Sequence, residues 1–165
     1  NTYTLILWSR SIAWGEIMFY RMILSTIAGI GIFGSTLAGV HAHEYKIVDD
    51  SIPVSLTGVP GDPVKGKKLA INRKKGNCLA CHAMPIPEEQ FHGEVGPDLH
   101  GVGSRMTEAE LRLRLVNSKA LNPDTIMPAF HKVALNRVLK KFKGKTILGA
   151  QDVEDIIAYL MTIKS

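Results

Sequence analysis

The chain has 165 residues, of which 45% are hydrophobic and 21% are charged, and this size fits one small domain behind an atypical N-terminal stretch. A formal net charge of +5 at pH 7 makes the chain mildly basic. Nucleic acid is disfavoured as a partner because aromatic residues are not interleaved with the basic ones.

The first 42 residues predict an export signal. The run from Met22 to Val40 has no charged residue and is rich in Ile, Leu, Gly and Ala, and Arg21 precedes it. Ala42 is a small residue of the kind that an export peptidase accepts. We expect translation to start at Met18, residues 1–17 to be an upstream extension, and cleavage to follow Ala42. An uncleaved membrane anchor is the alternative, but 4 glycines within the run favour cleavage.

Residues 43–61 predict an extended N-terminal arm with little regular structure, because prolines and glycines interrupt them. The remaining domain spans residues 62–165. Its first helix is predicted over residues 63–75, since Asp62 can cap it, Pro63 suits the first helical position, and Gly76 is a natural stop.

The stretch Cys78-Leu79-Ala80-Cys81-His82 has the C-x-x-C-H spacing typical of c-type haem attachment. Two thiols one turn apart can each form a thioether with a haem vinyl group. The adjacent imidazole then lies under the iron as an axial ligand. We therefore predict one covalent haem c, attached to Cys78 and Cys81, with His82 as a ligand of the iron.

A C-x-x-C pair can also be a redox dithiol or half of a zinc site. A zinc site of this kind needs a second Cys/His pair, but the chain has only 2 cysteines. A thioredoxin-like dithiol needs a βαβ context, whereas helical patterns flank this motif. Export also favours haem, because c-type cytochromes are assembled outside the cytoplasm.

A haem held by one histidine is either open to small ligands or closed by a second residue. Met127 is the favoured second ligand, because it lies in a loop 45 positions after His82 and is held extended by Pro128. The alternatives are that Met127 fills a gap in the core, or that His131 is the ligand. Met84 lies two residues from His82, too close to reach the opposite face of the haem. Met161 is expected to belong to the core stripe of the last helix, and Met106 to serve packing. His92 and His100 are expected to lie at the surface or to contact the haem propionates.

Pro97 is a candidate for a supporting role. A ligating histidine normally donates its other ring N–H to a carbonyl or carboxylate, and the rigid Pro97 backbone can aim its carbonyl at His82. The alternative is that Pro97 only shapes a turn.

Two further helices are predicted. Thr107 and Glu110 form a capping box for a helix that runs to about Asn117. The last helix begins near Gly149 and Asp152, and its apolar residues recur at i, i+3, i+4, i+7 and i+8. These are Val153, Ile156, Ile157, Leu160 and Met161. A short helix or turn is possible around residues 132–142, and few stretches resemble strands.

The basic residues cluster in two places, which favours either a rim that attracts an acidic protein partner or an ordinary solvated face. The first cluster is Lys65, Lys67, Lys68, Arg73, Lys74 and Lys75, and the second is Lys140, Lys141, Lys143 and Lys145.

The order of these features resembles class I cytochrome c. In that family the first and last helices cross where a glycine on one meets an aromatic residue on the other, and Gly66 and Tyr159 match those roles. The resemblance implies an all-α fold of three to five helices around one haem, over residues 62–165. It also carries the thioether and axial roles onto Cys78, Cys81, His82 and Met127.

A narrower resemblance is to the SoxX family. Its members are the monohaem subunits of the SoxAX complex in the periplasmic thiosulfate-oxidising Sox system. The supporting stretches span about residues 62–161. They are Lys75-Gly76-Asn77-Cys78-Leu79-Ala80-Cys81-His82, Gly96-Pro97-Asp98-Leu99-His100-Gly101-Val102-Gly103-Ser104-Arg105, Leu111-Arg112-Leu113-Arg114, Asn122-Pro123-Asp124-Thr125-Ile126-Met127-Pro128-Ala129-Phe130 and Val153-Glu154-Asp155-Ile156-Ile157-Ala158-Tyr159-Leu160.

This resemblance implies an electron-transfer subunit that forms a heterodimer with SoxA, a cytochrome that carries the active-site cysteine. The heterodimer is an L-cysteine S-thiosulfotransferase, which couples thiosulfate to a cysteine of the carrier protein SoxY. The SoxX-type subunit passes the electrons to a downstream cytochrome acceptor in the periplasm, with no stable membrane anchor.

The number of cysteines agrees with these roles, in which SoxA carries the active-site cysteine and the SoxX-type subunit transfers electrons. Haem attachment uses both thiols, and no nucleophile–base pair stands out, so the chain is expected to have no catalytic residue for sulfur chemistry. Two alternatives stay open: a freely diffusing periplasmic electron carrier, and a ligand-binding or peroxidase-like haem protein with an open iron.

Overall fold

The computed structural model describes residues 44–133 and 138–165. The predicted signal segment and the middle of the predicted 132–142 helix lie outside these ranges. No described segment forms a helix with the length and apolar character needed to cross a bilayer.

The described residues form four α-helices, named here α1 (Pro63–Ile71), α2 (Val102–Arg105), α3 (Glu108–Asn117) and α4 (Ala150–Thr162). Single 3₁₀ turns lie at Cys78–Ala80, Ser118–Ala120 and Lys140–Phe142. The last of these lies within the stretch of residues 132–142 for which a short helix or turn was predicted. Within the described ranges the sole β pairing is an isolated bridge between Val48 and Ser51. The predicted all-α fold is confirmed.

Helix α1 begins as predicted but ends four residues early. The Asp62 carboxylate accepts hydrogen bonds from the backbone N–H groups of Val64 and Lys65, and the latter bond is the main reason why the pKa of Asp62 is lowered. The predicted end at residue 75 is wrong, because Asn72 diverts the chain. Its side chain accepts from Lys74 N at 2.9 Å and its carbonyl accepts from Lys75 N at 2.9 Å. An asparagine that hydrogen-bonds to nearby backbone in this way competes with the helix.

Helices α3 and α4 follow their sequence signals. Thr107 and Glu110 make the predicted reciprocal capping box, with Thr107 N donating to Glu110 Oε2 at 2.8 Å. Asp152 closes the start of α4 by accepting from Gly149 N at 2.9 Å. The apolar stripe predicted for α4 is the centre of the core, and Val153 and Ile156 have no exposed surface.

Helices α1 and α4 pack across each other at Gly66. A Cβ atom at this position would lie 2.9 Å from Tyr159 Cβ and 2.5 Å from the carbonyl carbon of Asp155, which is closer than packed atoms come. Only glycine therefore permits this approach. The expected meeting of Gly66 with Tyr159 is confirmed.

The N-terminal arm lacks regular structure, as predicted, but it is fastened to the helices by a buried ion pair. Arg112 of α3 donates to both carboxylate oxygens of Glu154 of α4 at 2.9 Å. This pair also makes hydrogen bonds to the backbone of the arm. Arg112 donates to the Ile52 carbonyl at 2.8 Å, and Glu154 accepts from Leu56 N at 2.8 Å. One ion pair thus joins three segments.

Replacement of Glu154 by Leu should lower the free energy of unfolding by about 3–5 kcal/mol, because it leaves the Arg112 guanidinium buried without its counter-charge. Chemical denaturation of the haem-loaded protein measures this. The matched control is Glu108→Gln: the Glu108 carboxylate is 62% exposed and 3.8 Å from Arg112. Its loss should change the free energy by less than about 0.5 kcal/mol. Equal effects of the two variants would contradict the role given to the buried pair.

Candidate haem-binding site

The C-x-x-C-H motif is folded into a single turn. Asn77 adopts a left-handed conformation with φ of 49°, which reverses the chain after α1. Cys81 N and His82 N both donate to the Cys78 carbonyl, at 3.1 and 3.0 Å. This places Cys78, Cys81 and His82 around one cavity.

The two cysteines are not joined in a disulfide and are half-buried. Burial, with a smaller contribution from Cys81, raises the pKa of the Cys78 thiol to about 11. A reactive redox dithiol has the opposite property, a thiol with a lowered pKa. No cluster of three or more Cys, His, Asp or Glu residues that could hold a metal ion occurs in the described ranges.

The imidazole of His82 is held by a backbone carbonyl. His82 Nδ1 lies 2.7 Å from the Pro97 carbonyl oxygen, the contact expected from the sequence. Because Nδ1–H donates there, Nε2 keeps its lone pair and can bind a metal. Pro97 therefore selects the tautomer that a haem ligand needs.

The loop from Gly93 to Leu99 wraps around the motif and places Pro97. Gly93 N donates to Leu79 O, and Gly96 N donates to Cys81 O, both at 2.7 Å. A Cβ atom on Gly96 would lie 2.6 Å from His82 Nδ1. Gly96 belongs to a stretch that carries the resemblance to SoxX, but the sequence analysis predicted no contact between this glycine and His82.

A cavity of about 1090 Å³ lies against the motif. Protein cavities for small molecules span roughly 300–1,000 Å³, so this one suits a large ligand. Met127 lines the same cavity as His82.

The Met127 loop is attached to the end of α3. Ser118 Oγ donates to the Met127 carbonyl at 2.7 Å, and Met127 N donates to Thr125 Oγ1 at 3.2 Å. Phe130 N donates to Leu115 O at 3.0 Å. These hydrogen bonds hold the backbone on both sides of the Met127 thioether.

The other candidate ligands lie elsewhere. His131 is fully buried, with Nδ1 2.9 Å from the Leu148 carbonyl, and it does not line the cavity. His92 accepts from Met84 N at 3.3 Å, and its other nitrogen lies 3.0 Å from Glu89 O. His100 is exposed and contacts Asp98. Met84, Met106 and Met161 belong to the core or pack against it, as Met127 also does, but unlike Met127 they do not line the cavity.

The residues present fit a haem. The cavity combines two thiols, an imidazole with a free nitrogen and a thioether, and Gly96 leaves space beside the imidazole. These are the groups by which a C-x-x-C-H protein attaches haem and binds iron on both faces.

Residues from both basic clusters lie beside this cavity. Lys141 Nζ donates to the Lys74 carbonyl at 3.0 Å and lies 4.5 Å from the centre of the Phe142 ring. Further basic residues line the cavity with them, namely Arg73, Lys75, Lys119 and Lys132. Exposed apolar side chains at the same cavity are Val95, Ile126 and Leu139.

The family model for cytochrome c matches residues 63–164, and the chain belongs to the cytochrome c family. It therefore contains covalently bound haem c. The crystal structure of SoxXA from P. pantotrophus contains a similar chain, 39% identical, with a TM-score of 0.69. That match covers 76% of this chain and 98% of the other, and it confirms the predicted resemblance to SoxX. No curated protein sequence matches.

Replacement of Gly96 by Ala should reduce the amount of haem-loaded protein severalfold, because the new methyl group would overlap the His82 imidazole. Haem absorbance per unit of purified protein measures this. Gly144→Ala is the control: Gly144 has a φ of 72°, and nothing lies within 4 Å of an added Cβ. It introduces backbone strain without touching the site. Normal haem loading of Gly96→Ala would contradict the assigned contact.

Proposed function

We propose that the chain is the haem c electron-transfer subunit of a periplasmic SoxAX-type complex that oxidises thiosulfate. Similarity to a chain of SoxXA over 98% of that chain's length supports the complex. The arrangement of His82 and Met127 around one cavity supports electron transfer. The predicted export signal supports the periplasm.

In the proposed site Cys78 and Cys81 would hold the haem through thioethers, and His82 Nε2 and the Met127 sulfur would bind its iron. Pro97 orients His82 through its carbonyl. Bound haem supplies a one-electron redox centre whose potential depends on the axial ligands, burial and nearby hydrogen bonds. With both His82 and Met127 bound, the iron would have no open position, which favours electron transfer over ligand binding or a peroxidase-like reaction.

The sulfur chemistry is assigned to a partner. Coupling thiosulfate to a thiol forms one S–S bond, breaks one S–H bond and releases one proton and two electrons. A haem iron accepts one electron at a time, so each turnover requires two transfers through this subunit or a second acceptor. With Cys78 and Cys81 in thioethers, no thiol of the described domain is left to act as nucleophile.

The proposed partners follow from the SoxX resemblance: a SoxA-like cytochrome in a heterodimer, a SoxY-type carrier that meets the complex, and a downstream cytochrome acceptor. The basic residues at the cavity favour an acidic surface on a partner. The similarity to SoxXA favours this assignment over a freely diffusing carrier.

Replacement of Met127 by Ala should abolish the sulfur–iron charge-transfer band of the oxidised protein while haem stays covalently attached. The reduced variant should also gain rapid carbon monoxide binding, because one face of the iron opens. Absorbance spectroscopy measures both. The control is Met106→Leu, since Met106 packs against the core and does not line the cavity. A Met127→Ala protein that keeps the band would refute this ligand assignment.

Co-expression with a cysteine-bearing cytochrome should yield a stable heterodimer that transfers electrons from thiosulfate to this haem. Reduction of the haem on addition of thiosulfate and a SoxY-type carrier is the readout. The chain alone, given the same reagents, is the control and should stay oxidised. A strictly monomeric protein in the presence of that partner would favour the freely diffusing carrier instead.

A further inference from the structure

Phe91 is the most exposed large hydrophobic side chain in the described ranges, with 81% of its surface accessible to solvent. It lies in the loop between His82 and Pro97, and it does not line the haem cavity. Val95, four residues later in the same loop, is 68% exposed and does line the cavity. The loop therefore carries exposed apolar side chains up to the edge of the haem site.

The backbone on both sides of Phe91 is hydrogen-bonded to the rest of the domain. His92 accepts from Met84 N at 3.3 Å, and its other ring nitrogen lies 3.0 Å from a carbonyl oxygen three residues earlier. Gly93 N donates to the Leu79 carbonyl at 2.7 Å, and both Met84 and Leu79 are buried. A loop that is already held in this way loses little conformational entropy when a partner binds to it.

The charges next to Phe91 are acidic, although the chain has a formal net charge of +5. Glu89 and Glu94 flank the ring, and neither forms an ion pair with any residue of the described ranges. Glu88, by contrast, is paired with Lys67 at 2.5 Å. An exposed aromatic ring between two unpaired carboxylates fits an apolar pocket that is bordered by basic side chains.

We propose that residues 88–95, the Phe91 loop, bind the cysteine-bearing cytochrome of the heterodimer, with the Phe91 ring as the central contact. This inference rests on the proposed function and names the surface that holds its partner. The partner surface that fits is an apolar pocket with a basic border.

The kind of surface decides which of the two proposed redox partners it suits. Stable interfaces are centred on aromatic side chains that become fully buried. Transient electron-transfer contacts are small and are steered by charge. The Phe91 loop has the first property, and the basic residues beside the cavity have the second.

The position of the loop brings this partner to the haem without covering the basic residues. Val95 connects the loop to the cavity wall, so a subunit bound to the loop lies beside the haem site. The basic residues of the cavity wall come from other segments, among them Lys75, Lys119 and Lys141. An acidic electron acceptor can therefore approach through them while the heterodimer stays together.

The experiment measures the dissociation constant of the heterodimer formed by the haem-loaded chain and a cysteine-bearing cytochrome. Phe91→Ser should raise it at least about tenfold, because truncation of a central aromatic contact is among the most costly changes in an interface. Phe91→Tyr keeps the ring and should bind within about threefold of the unmodified chain. Glu94→Lys should slow association and reverse its dependence on salt, since it places a positive charge against a basic border.

Val54→Ser is the matched control. Val54 is 75% exposed and lies in the N-terminal arm, so the variant removes a similarly exposed apolar side chain from another part of the surface. Its dissociation constant should equal that of the unmodified chain. Haem absorbance per unit of protein should be the same in all variants, because each changes an exposed side chain.

A heterodimer that forms equally well with Phe91→Ser would overturn this inference and leave the proposed function intact. An unmodified chain that forms no heterodimer would refute the proposed function, and this inference with it. Light scattering of the chain alone tests a second copy as the occupant: a homodimer that Phe91→Ser dissociates would assign the loop to self-association and overturn the heterodimer assignment.

Discussion

The contact between His82 and Pro97 is the constraint on which the proposed haem site depends. A 2.7 Å hydrogen bond to a backbone carbonyl commits one ring nitrogen and leaves the other for a metal. The contact requires that the Gly93–Leu99 loop lie against the Cys78–His82 turn, and Gly96 is the residue whose missing side chain permits this. The position of the loop backbone therefore determines which nitrogen of the His82 imidazole can bind a metal.

That placement depends in turn on the helix packing. The crossing of α1 and α4 at Gly66 positions the end of α1, from which the chain turns into the haem motif. The Arg112–Glu154 pair joins α3 to α4 and holds the arm against both. Helix α3 ends at Asn117, which lines the cavity, and the next residue, Ser118, holds the Met127 loop. Helix α1 thus leads into the wall of the site, and helix α3 ends at it.

Local signals predicted the capped helices well, because Thr107, Glu110 and the apolar stripe of α4 act within one or two turns of chain. The early end of α1 was missed because Asn72 competes with the helix through its own side chain, a contact that helix periodicity does not report. The buried Arg112–Glu154 pair was also missed, since it joins residues 42 positions apart and each looks like an ordinary surface charge in the sequence. The C-x-x-C-H motif could be recognised in the sequence because covalent attachment of haem fixes the spacing of its residues.

The attachment of the Met127 loop to α3 has a consequence for how stability and redox state are connected. In the proposed site, the bond from iron to Met127 joins segments 45 residues apart and closes a loop. By chain-entropy reasoning, a permanent link of that length stabilises a fold by about 4 kcal/mol. A methionine–iron bond has a different strength in each oxidation state of the metal. By thermodynamic linkage, any such difference must appear again as a difference between the unfolding free energies of the oxidised and reduced proteins. Each electron that enters or leaves would thus also change the resistance of the domain to unfolding.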